Sequence, residues 1–194
     1  MARASHREKL LAAGLGVVHE RGLSGASVRD IAAAAKVPLG SFTNHFRSKE
    51  AFGLAVLERY FELMDAQVKS TLLDKRREPL ARLCAYIDSL IKLRDAGWNR
   101  KGCMLGNFSA ELTDADEALR RRVVDMFRHI EGAMAACLRE AVRRGDLPKG
   151  TDVGELARFI NSSQQGATLF CKAQRSAEPM RRFKRLLFGT VLKA

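Results

Sequence analysis

Three observations predict an all-α fold of about nine helices for this sequence. Apolar residues recur at spacings of three and four through most of the chain. No segment alternates with the period of two that a half-buried strand requires, and Gly, Pro, Ser and Asp stand where the periodic segments begin and end. At 194 residues the chain can bury a substantial core. The pattern divides it into a small three-helix head, 1–49, and a larger helical body, 50–194.

The first helix runs from about Ser5 to Arg21, with Leu11, Leu15 and Val18 on one face. Its apolar run superficially looks like a signal peptide, but Glu8 and Glu20 flank it and no cleavage site follows, so it is read as part of the folded head. After a turn at Gly22 to Gly25, Ser27 is placed to cap a second helix together with Asp30 three residues on. Val28, Ile31, Ala32 and Ala35 give that helix its apolar spacing. A four-residue break follows, and Pro38 fixes the start of a third helix, where its missing N–H costs nothing. Phe42 and Phe46, at i,i+4, anchor one face. The other face carries Leu39, Gly40, Ser41, Thr43, Asn44 and His45, side chains small or polar enough for a helix to settle into a major groove. Ser48 caps the next helix, with Arg47 and Lys49 at its mouth. The stretch from Ser27 to Lys49 reads as a helix-turn-helix.

From Ser48 to about Lys75 a long helix carries Phe52, Val56, Leu57, Tyr60, Phe61, Met64 and Val68 at helical spacing. It would reach about 40 Å from the head at 1.5 Å per residue. Pro79 opens a helix bearing Leu80, Leu83, Cys84, Ile87, Leu90 and Ile91 that stops near Gly97. A short helix is expected over Gly102 to Leu112, with Thr113 and Asp114 ending it or capping its successor. Glu117 to Arg144 follows, through Leu119, Val123, Met126, Ile130, Met134 and Leu138, closed by Gly145 and Pro148. Asp152 with Glu155 starts a helix bearing Leu156, Phe159, Ile160, Ala167 and Phe170, and Pro179 starts the last, with Met180, Phe183, Leu186 and Leu187. No apolar run reaches the roughly 18 to 20 residues that span a bilayer, so a soluble, cytoplasmic protein is expected.

Lys and Arg outnumber Asp and Glu by 34 to 22, and a net charge of +12 favours a polyanionic partner, most simply nucleic acid. A basic solvated surface is the competing explanation of the charge alone. Cys84, Cys103, Cys137 and Cys171 lie far apart without C-x-x-C pairing or a His cluster, so no zinc site, other metal or disulfide framework is expected. Catalysis finds little support. His129 and Glu131 diverge by about 200° on a helix, and neither a phosphate-binding Gly loop nor a nucleophile elbow is present.

The helix-turn-helix resembles that of the TetR/AcrR family of transcriptional regulators, I-A-x-x-A-G-V-x-x-G-x-x-Y-x-H-F-x-x-K-E. Ile31, Ala32, Ala35, Val37, Gly40, His45, Phe46, Lys49 and Glu50 stand at matching places. Lys36 replaces the turn glycine, and Thr43 replaces the tyrosine that contacts phosphate in the family. The resemblance extends over nearly the whole helical plan and implies a homodimer joined through the last two long helices. INSSQQGATLFCKA agrees, since Ser162, Ser163, Gly166 and Ala167 beside Phe159 and Phe170 permit close helix approach, although packing within one chain would use the same pattern. Two recognition helices would then meet a pseudo-palindromic site. Ser41 and Asn44 are the expected base-edge readers, with Gly40 allowing close approach and Leu39 against a thymine methyl. Ser27, Thr43, His45 and Lys49 are the expected phosphate contacts, with Arg3 and Arg7 reaching adjacent backbone or minor groove.

The resemblance also implies a ligand-responsive body. Phe61, Tyr86, Trp98, Phe108, Met104, Met126 and Phe127 are candidates to line a pocket, with Asn107, His129 or Gln165 supplying polarity; ordinary core accounts for the same stripe. Cys103 stands in R-K-G-C, which is similar to a subgroup with a G-C-hydrophobic motif in which some members sense electrophiles or oxidants. Arg100, Lys101 and a following helix start would favour its thiolate, whereas a buried inert cysteine is the alternative. The expected partners are a double-stranded DNA operator, a second copy of the chain and an unidentified small-molecule inducer, with no membrane and no cofactor. The function expected is that of a homodimeric repressor released by a small molecule or a thiol-reactive signal. A nonspecific basic DNA-coating protein and a small helical enzyme are the alternatives.

Overall fold

The computed structural model describes residues 5–97, 100–113 and 115–193, and every α-helix or other regular element among them is helical. In chain order these are α1 (His6–Gly25), α2 (Val28–Ala34), α3 (Gly40–His45), α4 (Lys49–Ser70), α5 (Pro79–Asp95), α6 (Met104–Glu111), α7 (Glu117–Arg144), α8 (Val153–Gln174) and α9 (Glu178–Leu186). A single π-helical turn, Leu187–Val191, continues α9. The expected span of α7 agrees at both ends. The long fourth helix, expected to run to about Lys75, stops at Ser70. There the Ser70 and Thr71 hydroxyls turn back to the Gln67 carbonyl, at 3.1 and 2.6 Å, and offer the backbone an alternative to another turn of helix.

Side-chain caps set the starts of several helices. Ser48 Oγ accepts the Ala51 N–H at 3.0 Å, and Asp152 Oδ1 accepts the N–H groups of Gly154 and Glu155, both at 3.0 Å. α2 closes where the Lys36 N–H donates to Ala33 O at 3.0 Å and the Val37 N–H to Ala32 O at 3.1 Å. This pairing requires a left-handed residue, and Lys36 takes it at φ 53.

The chain divides into two compact units, Met1–Leu63 with Met104–Asp125 and Met64–Cys103 with Met126–Ala194. In the first, the rings of Phe42, Phe46 and Phe52 meet with centroids 5.5, 5.1 and 4.9 Å apart. Burying Phe52 contributes about 1.5–3 kcal/mol. The ring lies so close to α1 that a Cβ on Gly14 would come within 2.3 Å of its Cζ, and glycine is what admits it. In the second unit Leu83, Ile87, Met126, Ile130, Met134, Leu138, Ile160 and Met180 form the core. Asp88 and Asp95 of α5 pair with Lys184 and Arg181 of α9, at 2.6 and 2.7 Å. Phe159, Leu169 and Phe170 stay exposed on α8. Among the described residues no helix is long and apolar enough to cross a membrane, and no cluster of His, Cys, Asp or Glu could hold a metal ion.

Candidate nucleic-acid interface

The head's first functional element is the start of α2. Ser27 Oγ accepts the Asp30 N–H at 3.0 Å, while Asp30 Oδ2 accepts the Ser27 N–H at 3.2 Å and its hydroxyl at 2.6 Å. This reciprocal box satisfies helix-end donors and fixes where the chain enters α2. The Ser27 hydrogen bonds hold the Asp30 carboxyl below the usual aspartate range, with help from Arg21, 3.3 Å away. Behind α3, Phe42 and Phe46 seat the helix on Phe52. In front of it Leu39, Gly40, Thr43, Asn44 and His45 are exposed, Leu39 by 50%. An open groove of about 690 Å³ runs between the two helices, lined by Ser27, Val28, Arg29, Leu39, Gly40 and Thr43. The Thr43 hydroxyl donates to the Gly40 carbonyl at 3.1 Å.

Three expectations change on this geometry. Ser41 does not belong to the outer face: it is 7% exposed, and its Oγ lies 3.0 Å from His6 Nδ1, so it fastens α3 to α1 instead of reading bases. Ser27 has committed both its N–H and its hydroxyl to Asp30, which leaves it a cap and no phosphate donor. Lys49 Nζ donates to the Ser24 carbonyl at 2.9 Å, using one of three ammonium hydrogens to hold the turn ahead of α2. Sequence reasoning passed over Arg29, exposed on the groove rim. Its position opposite the Ile31, Ala32 and Ala35 face was the available signal. Arg47 is exposed beside α3, and Arg7 places its guanidinium 5.6 Å from the Phe46 ring centroid. Arg3 lies outside the described residues.

Residues 10–56 match the family described as bacterial regulatory proteins, tetR family, and residues 79–187 match the tetracyclin repressor-like C-terminal domain. The HTH-type transcriptional repressor DhaR of Mycobacterium sp. (strain GP1) is 38% identical over 192 residues, covering 99% of this chain and 95% of that protein. The chain belongs to the TetR family. Among solved structures of TetR-family proteins, regulatory protein TetR from Rhodobacter sphaeroides superposes with a TM-score of 0.87 at 31% identity, covering 94% of this chain and 96% of that one. Reduced E. coli NemR does so with a TM-score of 0.82 at 27% identity, covering 95% and 96%.

The residues expected to serve a TetR-type ligand pocket divide between the two units. Phe61, Asn107 and Phe108 belong to the first; Tyr86, Cys103, Met126 and His129 belong to the second. Phe61 is half-buried beneath the Arg122 guanidinium, 5.0 Å from its ring centroid. Phe108, Tyr86 and Met126 are buried, and Asn107 is half-buried. His129, expected to lend polarity to an interior, is exposed, with Nε2 2.9 Å from Asp65 Oδ1. Polar side chains do enter the core of α8, but as Asn161, Gln164 and Thr168 and not Gln165. Cys103 is 7% exposed, and the four cysteines form no disulfide. Trp98 and Asp114 lie outside the described residues.

Proposed function

We propose that this protein is a homodimeric, sequence-specific repressor that two heads hold on a pseudo-palindromic operator and that a ligand bound in the body releases. The observation that carries the reading is α3, anchored from behind by aromatic rings and presenting Leu39, Gly40, Thr43, Asn44 and His45 beside a groove rimmed by Arg29. Residues 1–49 act as the DNA-binding head and 50–194 as the ligand-receiving and dimerising body. Asn44 reads a base edge, Gly40 admits the backbone and Leu39 meets a thymine methyl. Arg29, Arg47, His45 and the two remaining donors of Lys49 meet phosphates, while the Thr43 hydroxyl stays on the Gly40 carbonyl. The exposed Phe159, Leu169 and Phe170 of α8 supply the face for a second copy, as an apolar stripe on an otherwise basic chain requires.

DhaR and E. coli NemR are named repressors, which favours repression over activation here. NemR has been solved in a reduced form, a point in favour of a thiol signal. The burial of Cys103 favours a non-covalent ligand, because a reagent reaches that thiol only after the body opens. The protein works in the cytoplasm and catalyses no reaction of its own.

The test is a fluorescence titration on DNA upstream of its own gene, with excess nonspecific competitor, before and after a thiol-reactive electrophile. Specific binding should survive the competitor. Asn44→Ala should change preference at one base position by about 1–3 kcal/mol. Arg29→Ala or Arg47→Ala should weaken binding to every sequence and lower the salt slope by about one. Binding that is equal on all sequences points to a nonspecific DNA coat and contradicts the repressor reading.

A further inference from the structure

α5 carries a positive charge where its inner face should be apolar. Leu83, Ile87 and Leu90 are buried along that face, and the next position in the same spacing is Arg94, which is 4% exposed. Taking a guanidinium out of water is costly, and buried charges are ordinarily matched by an opposite charge. Arg82, the other buried arginine of α5, also leaves its Nε without a partner but follows the rule through the Glu140 carboxylate. Arg94 breaks it. Its Nη2 donates to the Thr168 hydroxyl at 3.0 Å, its buried Nε has no partner, and no carboxylate among the described residues pairs with it. Its neighbour Asp95 is turned to Arg181.

The polar groups around the guanidinium are neutral, and the one acceptor it uses is shared. Gln164 Nε2 also donates to Thr168 Oγ1, at 3.3 Å, so one neutral oxygen serves both an amide and a guanidinium. Gln164 and Thr168 are buried one turn apart on α8. Tyr86, about two turns back along α5, is buried too, and its phenol is held above its usual range by burial, with Cys103 adding to that and the charge of Arg94 opposing it. Negative charge at the C-terminal end of α5 offsets part of the Arg94 charge but gives Nε no acceptor. What such a site lacks is an acceptor-rich anion.

We propose that Arg94, with Thr168 and Gln164, is an anion-binding subsite in the second unit and that the ligand it takes is a small organic carboxylate. Two oxygens of a carboxylate match the parallel N–H groups of a guanidinium, and Thr168 is positioned to turn its hydroxyl hydrogen to the same group. Naming this carboxylate as the effector rests on the ligand-released reading above, whereas the subsite itself does not depend on DNA binding.

The experiment is thermal unfolding of the full chain with acetate or benzoate at millimolar concentration, against acetamide and benzamide, at matched ionic strength set with chloride and sulfate. At least one of the two carboxylates should raise Tm by about 2–4 °C, and its amide should not. Arg94→Met removes the buried charge at similar volume and should unfold no more easily than the parent, yet lose the carboxylate shift. Thr168→Val should keep the charge and show a reduced shift. The proposal is overturned if neither carboxylate shifts Tm, if acid and amide shift it equally, if sulfate does as well as the carboxylates, or if Arg94→Met keeps the full shift. The two readings fail separately. A shift that needs Arg94, in a protein whose operator complex ignores the carboxylate, retains the subsite and removes its role as effector site; operator binding with no shift retains the repressor and removes the subsite.

Discussion

Lys36 holds a left-handed backbone, φ 53, in the turn between α2 and α3, where a Cβ meets the neighbouring carbonyl. Lys36→Gly should therefore stabilise the protein by about 1 kcal/mol, measured as a rise in the midpoint of urea unfolding with unchanged slope. Asp30 makes the stability of the head depend on pH. Its carboxyl is held below the usual range chiefly by Ser27, so the stabilisation is fully present above the ordinary aspartate pKa and is lost as pH falls through the depressed folded value. Ser27→Ala should be less stable than the parent at neutral pH, and the gap should narrow in acid to what the lost cap on the Asp30 N–H leaves. The Ser27–Asp30 box was readable in the sequence because capping spans three residues. Ser41 was not, since its burial depends on His6, 35 positions away. Arg94 was readable and passed over: it continues the spacing of Leu83, Ile87 and Leu90, and a charge on a buried stripe is the signal.

The turn between α1 and α2 is held by two elements distant in sequence. Glu111, the last residue of α6, accepts the Ser24 N–H at 2.8 Å, and Lys49, the first of α4, donates to the Ser24 carbonyl at 2.9 Å. Gly22, at φ 78, makes room, because a Cβ there would lie 2.1 Å from Glu111 Oε1. Glu111→Ala should cost about 1–2 kcal/mol of stability and speed amide exchange around Ser24, whereas Glu111→Gln, which keeps an acceptor, should cost less. Helix starts were legible in the sequence at Ser48, Pro79 and Asp152, whereas α3, expected from Pro38, begins at Gly40. Helix ends were less so. α4 stops at Ser70 because two hydroxyls compete for one carbonyl, and the π-turn after α9 has no composition of its own to announce it.

For the whole molecule, the +12 charge and the exposed stripe on α8 point in different directions, one toward DNA and the other toward a second chain. The sequence left packing within the chain and pairing between chains open for Phe159 and Phe170, because small and aromatic residues at helical spacing suit both. With Phe159, Leu169 and Phe170 exposed, pairing between chains is the better account. Leu169→Glu should halve the mass seen in sedimentation equilibrium while leaving the helical circular dichroism of the chain unchanged. It should also lower operator affinity at least tenfold, since one head alone makes half the contacts. Recognition of an operator by two chains is tested by a footprint of the full chain on DNA upstream of its own gene, in excess competitor, with the chains per duplex counted by sedimentation. A homodimeric repressor should give two protected half-sites related by a two-fold axis, with centres about 34 Å or a whole multiple of that apart, and an even number of chains per duplex. Uniform protection along the fragment, with no preferred site and no fixed stoichiometry, would contradict it.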